Sequence, residues 1–452
     1  MKDNMEVCRI VYEVLKIHIQ FGVYHDGDIL PTMEQSADNF LVSIDTVRSA
    51  YLQLQREGYV RLSPNVGSMV VKDYSDEETE FFIQQFFSRR RNALIDLSKS
   101  IRPLFSNAQW IGLKNAPAEI YQNMQRLMEG RELQPFIVFK HIIEAYNSLN
   151  NDLLLRLLWR IFTFYEAPFF CVPRNPWCTF AVEEYSPWTL DACLKQNWGP
   201  LRESICNAQD SLSVALKQFY DDRITLPPSQ PEIPFSCSVY KKASQLRYSL
   251  AMDLLTAISI GQYPAGTMLP SLKQLSQERN VSVSTLRRTL ALLNGVGATE
   301  SIQWVGTKVL PFHETASHCD FSNPAIRRRL MDMAQSMQVL TLSCKSVAEV
   351  TITSLDTAGL QKCRERLSTI RARGQYELVT YITLELLEQL APYQAIRTVY
   401  RELLRQLFWG YSLRSIWKAS GDNIRFYLSC FDAFMGSLEQ GDADKFSDHL
   451  ER

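Results

Sequence analysis

GDILPTMEQSADNFLVSIDTVRSAYLQLQREGYVRLSPNVG, residues 27–67, has a counterpart in the same chain. Displaced by 239 positions, Gly22, Tyr24, Gly27, Leu30, Pro31, Gln35, Val42, Ser43, Thr46, Arg48, Leu54, Gly58 and Gly67 fall on Gly261, Tyr263, Gly266, Leu269, Pro270, Gln274, Val281, Ser282, Thr285, Arg287, Leu293, Gly297 and Gly306, with no gap. Glycine and proline are the residues whose backbone roles others replace worst. A long ungapped match that includes them marks two copies of one small domain.

Around this repeat the chain has 452 residues, too many for a single core, and its 46% hydrophobic and 21% charged content is that of a folded globular protein. The net charge of −1 excludes a globally basic nucleic-acid binder, so any contact with DNA has to come from local basic patches. Ten cysteines without a CxxC pair, and a first helix without a hydrophobic signal core, lead us to expect reduced thiols and a cytoplasmic location. Leu153 to Val172 is the most apolar stretch, but Arg156, Arg160 and Glu166 interrupt it, so no membrane span is expected.

The first copy reads as three helices and a hairpin. Val7, Ile10, Val11, Val14, Leu15 and Ile19 recur at helical spacing up to Gly22. Thr32 is placed to cap a second helix running to about Asn39, with no capping-box partner expected. Ser43 caps a third helix from about Ile44 to Arg56, and Gly58 fits its C-terminal end. Residues 59–62 and 68–71 read as strands around the Pro64-Asn65-Val66-Gly67 turn. This is the order of a winged helix-turn-helix, whose third helix enters the major groove.

Three features of this stretch resemble the GntR family of bacterial transcription regulators. They are Gly27-Asp28-Ile29-Leu30-Pro31-Thr32, Val42-Ser43-Ile44-Asp45-Thr46-Val47-Arg48 and the wing glycine Gly67. The second copy is similar through Gly266, Leu269-Pro270-Ser271, Val281-Ser282-Val283-Ser284-Thr285-Leu286-Arg287 and Gly306. The resemblance implies a bacterial transcription regulator that binds double-stranded DNA. It places the DNA-contacting set at Thr32, Ser43, Thr46, Arg48, Asn65 and Gly67 in copy one. In copy two the set is Ser271, Lys273, Ser282, Ser284, Thr285, Arg287, Arg288 and Gly306. Where the family carries arginines near the proline-serine pair and the cap serine, this chain has Glu34 and Ile44 in copy one, and Lys273 and Val283 in copy two. Asp38 and Asp45 add carboxylates near the groove face of copy one, so copy two is expected to supply most of the phosphate-dependent affinity.

After Ser75 the pattern turns to long amphipathic helices, expected at about 117–129, 135–148, 152–165, 189–196 and 200–220 after a helix interrupted by Arg89-Arg90-Arg91. Phe139-Lys140-His141-Ile142-Ile143-Glu144-Ala145 running into Asn150-Asn151-Asp152 resembles the helical effector domain of the FadR subgroup. Phe136 and Lys140 stand where that subgroup's metal-binding Asp and His would be, so no metal and no cofactor are expected, and His141 reads as a packed or surface residue. The proline- and aromatic-rich segment Ala167 to Trp188 reads as an extended loop, and Thr225 to Ser238 as a semi-rigid linker. Arg327-Arg328-Arg329 repeats Arg89-Arg90-Arg91 at an offset of 238, and Leu390, Arg397 and Arg401 repeat Leu149, Arg156 and Arg160 at 241, so the helical region is duplicated too. Both arginine triplets read as basic helix surface. His313, His318 and Cys319 have a spacing that fits no standard metal site.

These readings give a mainly α protein: two winged helix-turn-helix domains (1–74 and 240–313), each followed by an all-helical effector or dimerisation-like domain (75–224 and 314–452), joined by a linker at 225–239. There is no Gly-rich phosphate loop, GxSxG elbow or HExxH, so no enzyme is expected. The expected function is a DNA-binding regulator of two fused subunits, either an intrachain pseudo-dimer or a homodimer, with control by a small-molecule effector implied by the resemblance alone. The alternative is an interaction or scaffold protein whose winged helices have partly lost DNA binding.

Overall fold

Helices dominate because most of the chain repeats its apolar residues with helical period, while among the described residues the strands are those of the two hairpins. A computed structural model describes residues 5–64, 66–128, 134–177, 185–228, 231–237, 242–259, 261–413 and 421–452. The chain divides into two units, one formed by residues 1–237 with 393–395 and the other by 238–392 with 396–452.

The first unit begins with α1 (Met5–Gln20), α2 (Met33–Phe40) and α3 (Ile44–Arg56), followed by the antiparallel strands β1 (Val60–Ser63) and β2 (Gly67–Val70). Val11, Val47, Ala50, Tyr51 and Leu54 are fully buried and form the core under α1 and α3. Tyr51 fixes α3 against α2: its hydroxyl donates to the carbonyl of Pro31 (2.7 Å) and shares a 2.8 Å hydrogen bond with Ser36. Thr32 caps α2 as expected, but a complete capping box is present. Gln35 lies three residues after the cap and its side chain accepts from the Thr32 amide at 2.8 Å, satisfying a second otherwise open end of the helix.

The helices that follow are α4 (Asp76–Ser88), α5 (Arg91–Lys114), α6 (Ala118–Met128), α7 (Gln134–Asn147), α8 (Asp152–Ile161), a π-helical turn (Phe162–Glu166), α9 (Ala167–Phe170), α10 (Tyr185–Leu194) and α11 (Trp198–Asp222). The long pair α5 and α11 forms the spine of this bundle, and Phe87, Phe169, Phe219 and Tyr220 pack edge-to-face beside it. Gly112 lets α5 approach α7: a Cβ there would run into the carbonyl oxygen of Ala145.

Three expectations are corrected in this unit. The proline-rich segment is not an extended loop throughout, because its described ends are helical. Pro168 and Pro187 lie in the first turns of α9 and α10, where a missing amide hydrogen costs no hydrogen bond. The described part of the linker is tied along the first unit: Gln84 accepts from the amides of Thr225 and Leu226, Arg89 accepts from that of Ile233, Glu232 accepts from that of Ala93, and Phe235 is buried. Arg90 is not solvated surface either. Its guanidinium lies 3.9 Å from the Phe86 ring centroid, and burial lowers its pKa to about 10.

The second unit repeats the plan: α12 (Lys242–Ser259), α13 (Leu272–Arg279), α14 (Val283–Gly295), β3 (Thr299–Ile302) and β4 (Gly306–Val309). After a short α15 (Thr315–His318) its bundle consists of α16 (Pro324–Ser354), α17 (Thr357–Arg373), α18 (Val379–Leu390), α19 (Gln394–Leu407), α20 (Gly421–Gln440) and α21 (Ala443–Glu451). Arg327 and Arg328 are exposed as expected, but Arg329 is buried, pairing with Asp332 at 2.9 Å and lying 4.2 Å from the Tyr248 ring centroid. His141 in the first bundle is a packed histidine bonded to the Met124 carbonyl oxygen. His313 is exposed beside Glu314.

Two predictions come from these packing details. Leu41 ends α2 in the left-handed region (φ 52°), whereas the second copy uses Asn280 there (φ 50°). Leu41→Asn should relieve about 1 kcal/mol of strain and raise the melting temperature by about 2–4 °C in calorimetry. His18 is fully buried on α1, its Nε2 3.1 Å from the Cys171 sulfur, and burial lowers its pKa from 6.5 to about 4. Its contribution is therefore complete above pH 6.5. It is lost as pH falls towards 4, because only the unfolded chain takes up the proton; the loss is roughly 3 kcal/mol. Urea unfolding at pH 7 and pH 4.5 should show a smaller acid destabilisation in His18→Leu than in the wild type.

Candidate nucleic-acid interface

Each winged domain is held in shape by the same backbone bonds. In the first copy Gly27 donates to the Val70 carbonyl oxygen (3.0 Å), Leu30 to that of Ser68 (2.9 Å), and Val70 to that of Asp28 (2.8 Å). In the second copy Gly266 donates to Val309 (2.9 Å), Leu269 to Thr307 (2.8 Å), and Val309 to Thr267 (2.9 Å). These bonds add the strand-like turn before the second helix to the hairpin, with isolated bridges at Ile29–Met69 and Met268–Lys308. Wing and helix-turn-helix thereby become one frame. Gly306 suits the wing because its φ of 140° is a backbone conformation that residues with a Cβ rarely adopt.

The third helices α3 and α14 begin at Ser43 and Ser282, whose hydroxyls accept from the amides of Thr46 (3.3 Å) and Thr285 (3.1 Å). Thr46 is itself buried, with 2% exposure, and its hydroxyl is shared with Ser43 at 2.8 Å. Thr285 is half-buried in the equivalent bond, while Ser282 and Ser284 are exposed. Thr32 and Ser271 are exposed caps of α2 and α13, and Ser271 is also part of a capping box with Gln274. Gly67 and Gly306 open β2 and β4. Asn65 lies outside the described residues.

The two surfaces differ in charge. Residues 33–56 carry three carboxylates (Glu34, Asp38 and Asp45) and two arginines, whereas residues 272–295 carry one carboxylate and four cations. Arg48 is exposed but paired within its own helix, its Nη1 2.7 Å from Asp45 Oδ1. Arg287 and Arg288 are exposed with no ion pair among the described residues, and Lys273 is exposed at the start of α13. Asp38 is paired with Lys140 of α7 at 2.7 Å, and the Trp159 indole of α8 donates to the Phe40 carbonyl oxygen at 2.7 Å, so α2 is pinned to the helical bundle of its own unit.

The hairpin of the second copy carries a residue that the sequence analysis passed over. Trp304 is 96% exposed, with φ at +63°, beside Val305 and Ile302, which are also exposed. An indole presented to solvent in the left-handed region is costly twice over, in hydration and in backbone strain. The 239-residue offset could have found it, because Trp304 falls on Asn65.

Residues 9–70 and 247–309 each match the family described as "Bacterial regulatory proteins, gntR family". No curated protein matches the chain significantly. Among solved structures, Streptococcus agalactiae GntR is similar at 16% identity with a TM-score of 0.21, covering 45% of this chain and 95% of that one. E. coli McbR/YncC is similar at 14% identity with a TM-score of 0.24, covering 49% and 99%. Among the described residues, no helix is long and apolar enough to cross a membrane.

Proposed function

We infer that this chain, which carries two winged helix-turn-helix DNA-binding domains of the GntR family, is a transcription regulator made of two fused regulator subunits. The observation that carries this reading is the doubled frame. The same backbone bonds set a capped helix, a turn and a wing twice, 239 residues apart. A helix so mounted enters the major groove with its first turns near base edges and phosphates. Residues 1–74 and 240–313 are the DNA-reading domains, 75–224 and 314–452 the effector and dimerisation-like domains, and 225–239 joins them. The two halves pair within one chain as a pseudo-dimer and read an asymmetric operator.

The charge difference assigns unequal roles. Arg287, Arg288 and Lys273 provide most of the phosphate neutralisation, with Ser271, Ser282, Ser284, Thr285 and Gly306 positioning the backbone. In copy one Arg48 must first leave Asp45, so Thr32, Ser43 and Gly67 make weaker contacts, and the buried Thr46 only supports Ser43. Trp304 lies at the wing edge, where an apolar side chain enters the minor groove against sugar edges.

Gel shifts on the chain's own promoter region across 50–200 mM salt test this assignment. Arg287→Ala should cost about tenfold in affinity and lower the salt slope by about 1, whereas Arg48→Ala should change both little. Equal losses from the two variants would overturn the asymmetry, and no shift at low salt would overturn DNA binding altogether. Footprinting of the bound DNA should show two unequal half-sites. Trp304→Ala should weaken binding severalfold while leaving the salt slope unchanged, since an indole releases no counterion.

A further inference from the structure

We propose that the cavity inside the first helical bundle binds a short apolar primary amine, with Glu166 holding its ammonium group. The proposal rests on the reading that a small molecule controls this regulator, and it specifies which chemistry would do so.

The cavity has a volume of about 90 Å³ and lies among α5, α7, α8, the π-helical turn and α11. Its walls are apolar: Phe105, Phe139, Ile142, Ile161 and Leu212 all line it. Glu166 projects among them from the last position of the π-helical turn, a backbone irregularity that inserts an extra residue and is frequent at functional sites. No hydrogen bond or ion pair reaches its carboxyl group among the described residues. Desolvation alone pushes its pKa up to about 7. A leucine would fill the same place without that cost, so packing does not explain a carboxyl group here.

The remaining polar groups of the cavity ask for a donor. The Gln209 amide nitrogen donates to Gln109 Oε1 (3.1 Å), which leaves Gln209 Oε1 buried without a partner. The Tyr146 hydroxyl is engaged by the Phe105 carbonyl oxygen (3.0 Å). Glu166, ionisable and unpaired among the described residues, therefore faces an otherwise apolar chamber, with the Gln209 acceptor buried in its wall. An ammonium brings three donors and the opposite charge to Glu166. A ligand carboxylate would bring a like charge, and an alcohol has a single donor and no charge to pair with Glu166. A cavity of about 150 Å³ accommodates benzene, so this one, at about 90 Å³, holds a tail of roughly three or four heavy atoms.

The same walls connect the cavity to the first DNA-reading domain. Val138, Phe139 and Ile142 lie on α7, which carries Lys140, and Leu158 and Ile161 lie on α8, which carries Trp159. These are the two side chains that pin α2 through Asp38 and Phe40. A ligand that spreads α7 from α8 strains both pins at once and changes how α2 is held.

Isothermal titration of the full chain with n-butylamine, n-butanol and butyrate, on the wild type, Glu166→Gln and Gln209→Leu, tests the site. The amine should bind the wild type best and lose at least tenfold in Glu166→Gln, with a smaller loss in Gln209→Leu. Butyrate or butanol binding as tightly as the amine, an amine affinity that Glu166→Gln leaves unchanged, or no amine binding at millimolar concentration each overturns the proposal. The control reading is separated by Ala208→Phe, which fills the cavity without a ligand. If Ala208→Phe shifts DNA affinity severalfold while amines fail to bind, the amine assignment falls and ligand control stands. If amines bind but neither they nor Ala208→Phe change DNA affinity, the control reading falls and the binding site stands.

Discussion

Everything in the DNA-reading part of this protein depends on a short backbone ladder between the turn before the second helix and the last strand of the wing. Gly27, Asp28 and Leu30 exchange amide and carbonyl bonds with Ser68 and Val70, and the same ladder recurs at Gly266, Thr267 and Leu269. Such bonds are indifferent to side-chain identity, provided that the backbone can reach the required angles. Glycines at positive φ on both sides of the ladder meet that condition. The third helix is then set by Tyr51 in the first copy, whose hydroxyl bonds to Pro31 and Ser36, and by the buried Leu286, Thr289 and Leu293 in the second.

Because the frame is carried by the backbone, the two copies were free to diverge in charge without losing shape. The first copy spends its charges internally: Arg48 on Asp45, and Asp38 on Lys140. The second leaves Arg287 and Arg288 open and raises an exposed tryptophan on its wing. The way each winged domain is attached to its own bundle also differs. In the first unit a buried lysine and an indole hold α2. In the second unit Trp409, Tyr411 and Ile326 join the core of the winged domain directly, with Asp253 and Arg405 paired at 3.0 Å. Apolar burial gives a firm joint, whereas two directional polar bonds to one helix make a joint that a small displacement can break.

The first bundle keeps polar groups where a stability-driven core would have none. Glu166 and the free acceptor of Gln209 lie among phenylalanines and isoleucines, and His18 and Cys171 share one buried contact. Each raises the cost of folding through desolvation, and each lies close to the helices that hold the DNA-reading domain. In the second bundle several buried hydroxyls are paired: Ser343 with Tyr400 at 3.0 Å and Ser336 with the Leu403 carbonyl oxygen at 2.7 Å.

By itself the sequence determined that a winged helix-turn-helix occurs twice, where its third helices start, at Ser43 and Ser282, and that helical regions follow both. These features depend on neighbours within a few residues: a serine hydroxyl reaches the amide three positions on, and a glycine ends a helix where it stands. The same local logic extends to Gln35, which sits at the capping-box position, and to Pro168, which sits at a helix start. Only the tertiary structure decided which charges are free. Arg90 and Arg329 look in sequence like Arg89 and Arg328 but are enclosed by aromatic rings, and Lys140 finds its carboxylate 102 residues away. Ionic and aromatic contacts of that kind are set by long-range packing, whose partners no spacing along the chain can identify. The cavity around Glu166 was hidden for the same reason: its walls come from four separated stretches, and no short window of sequence contains them.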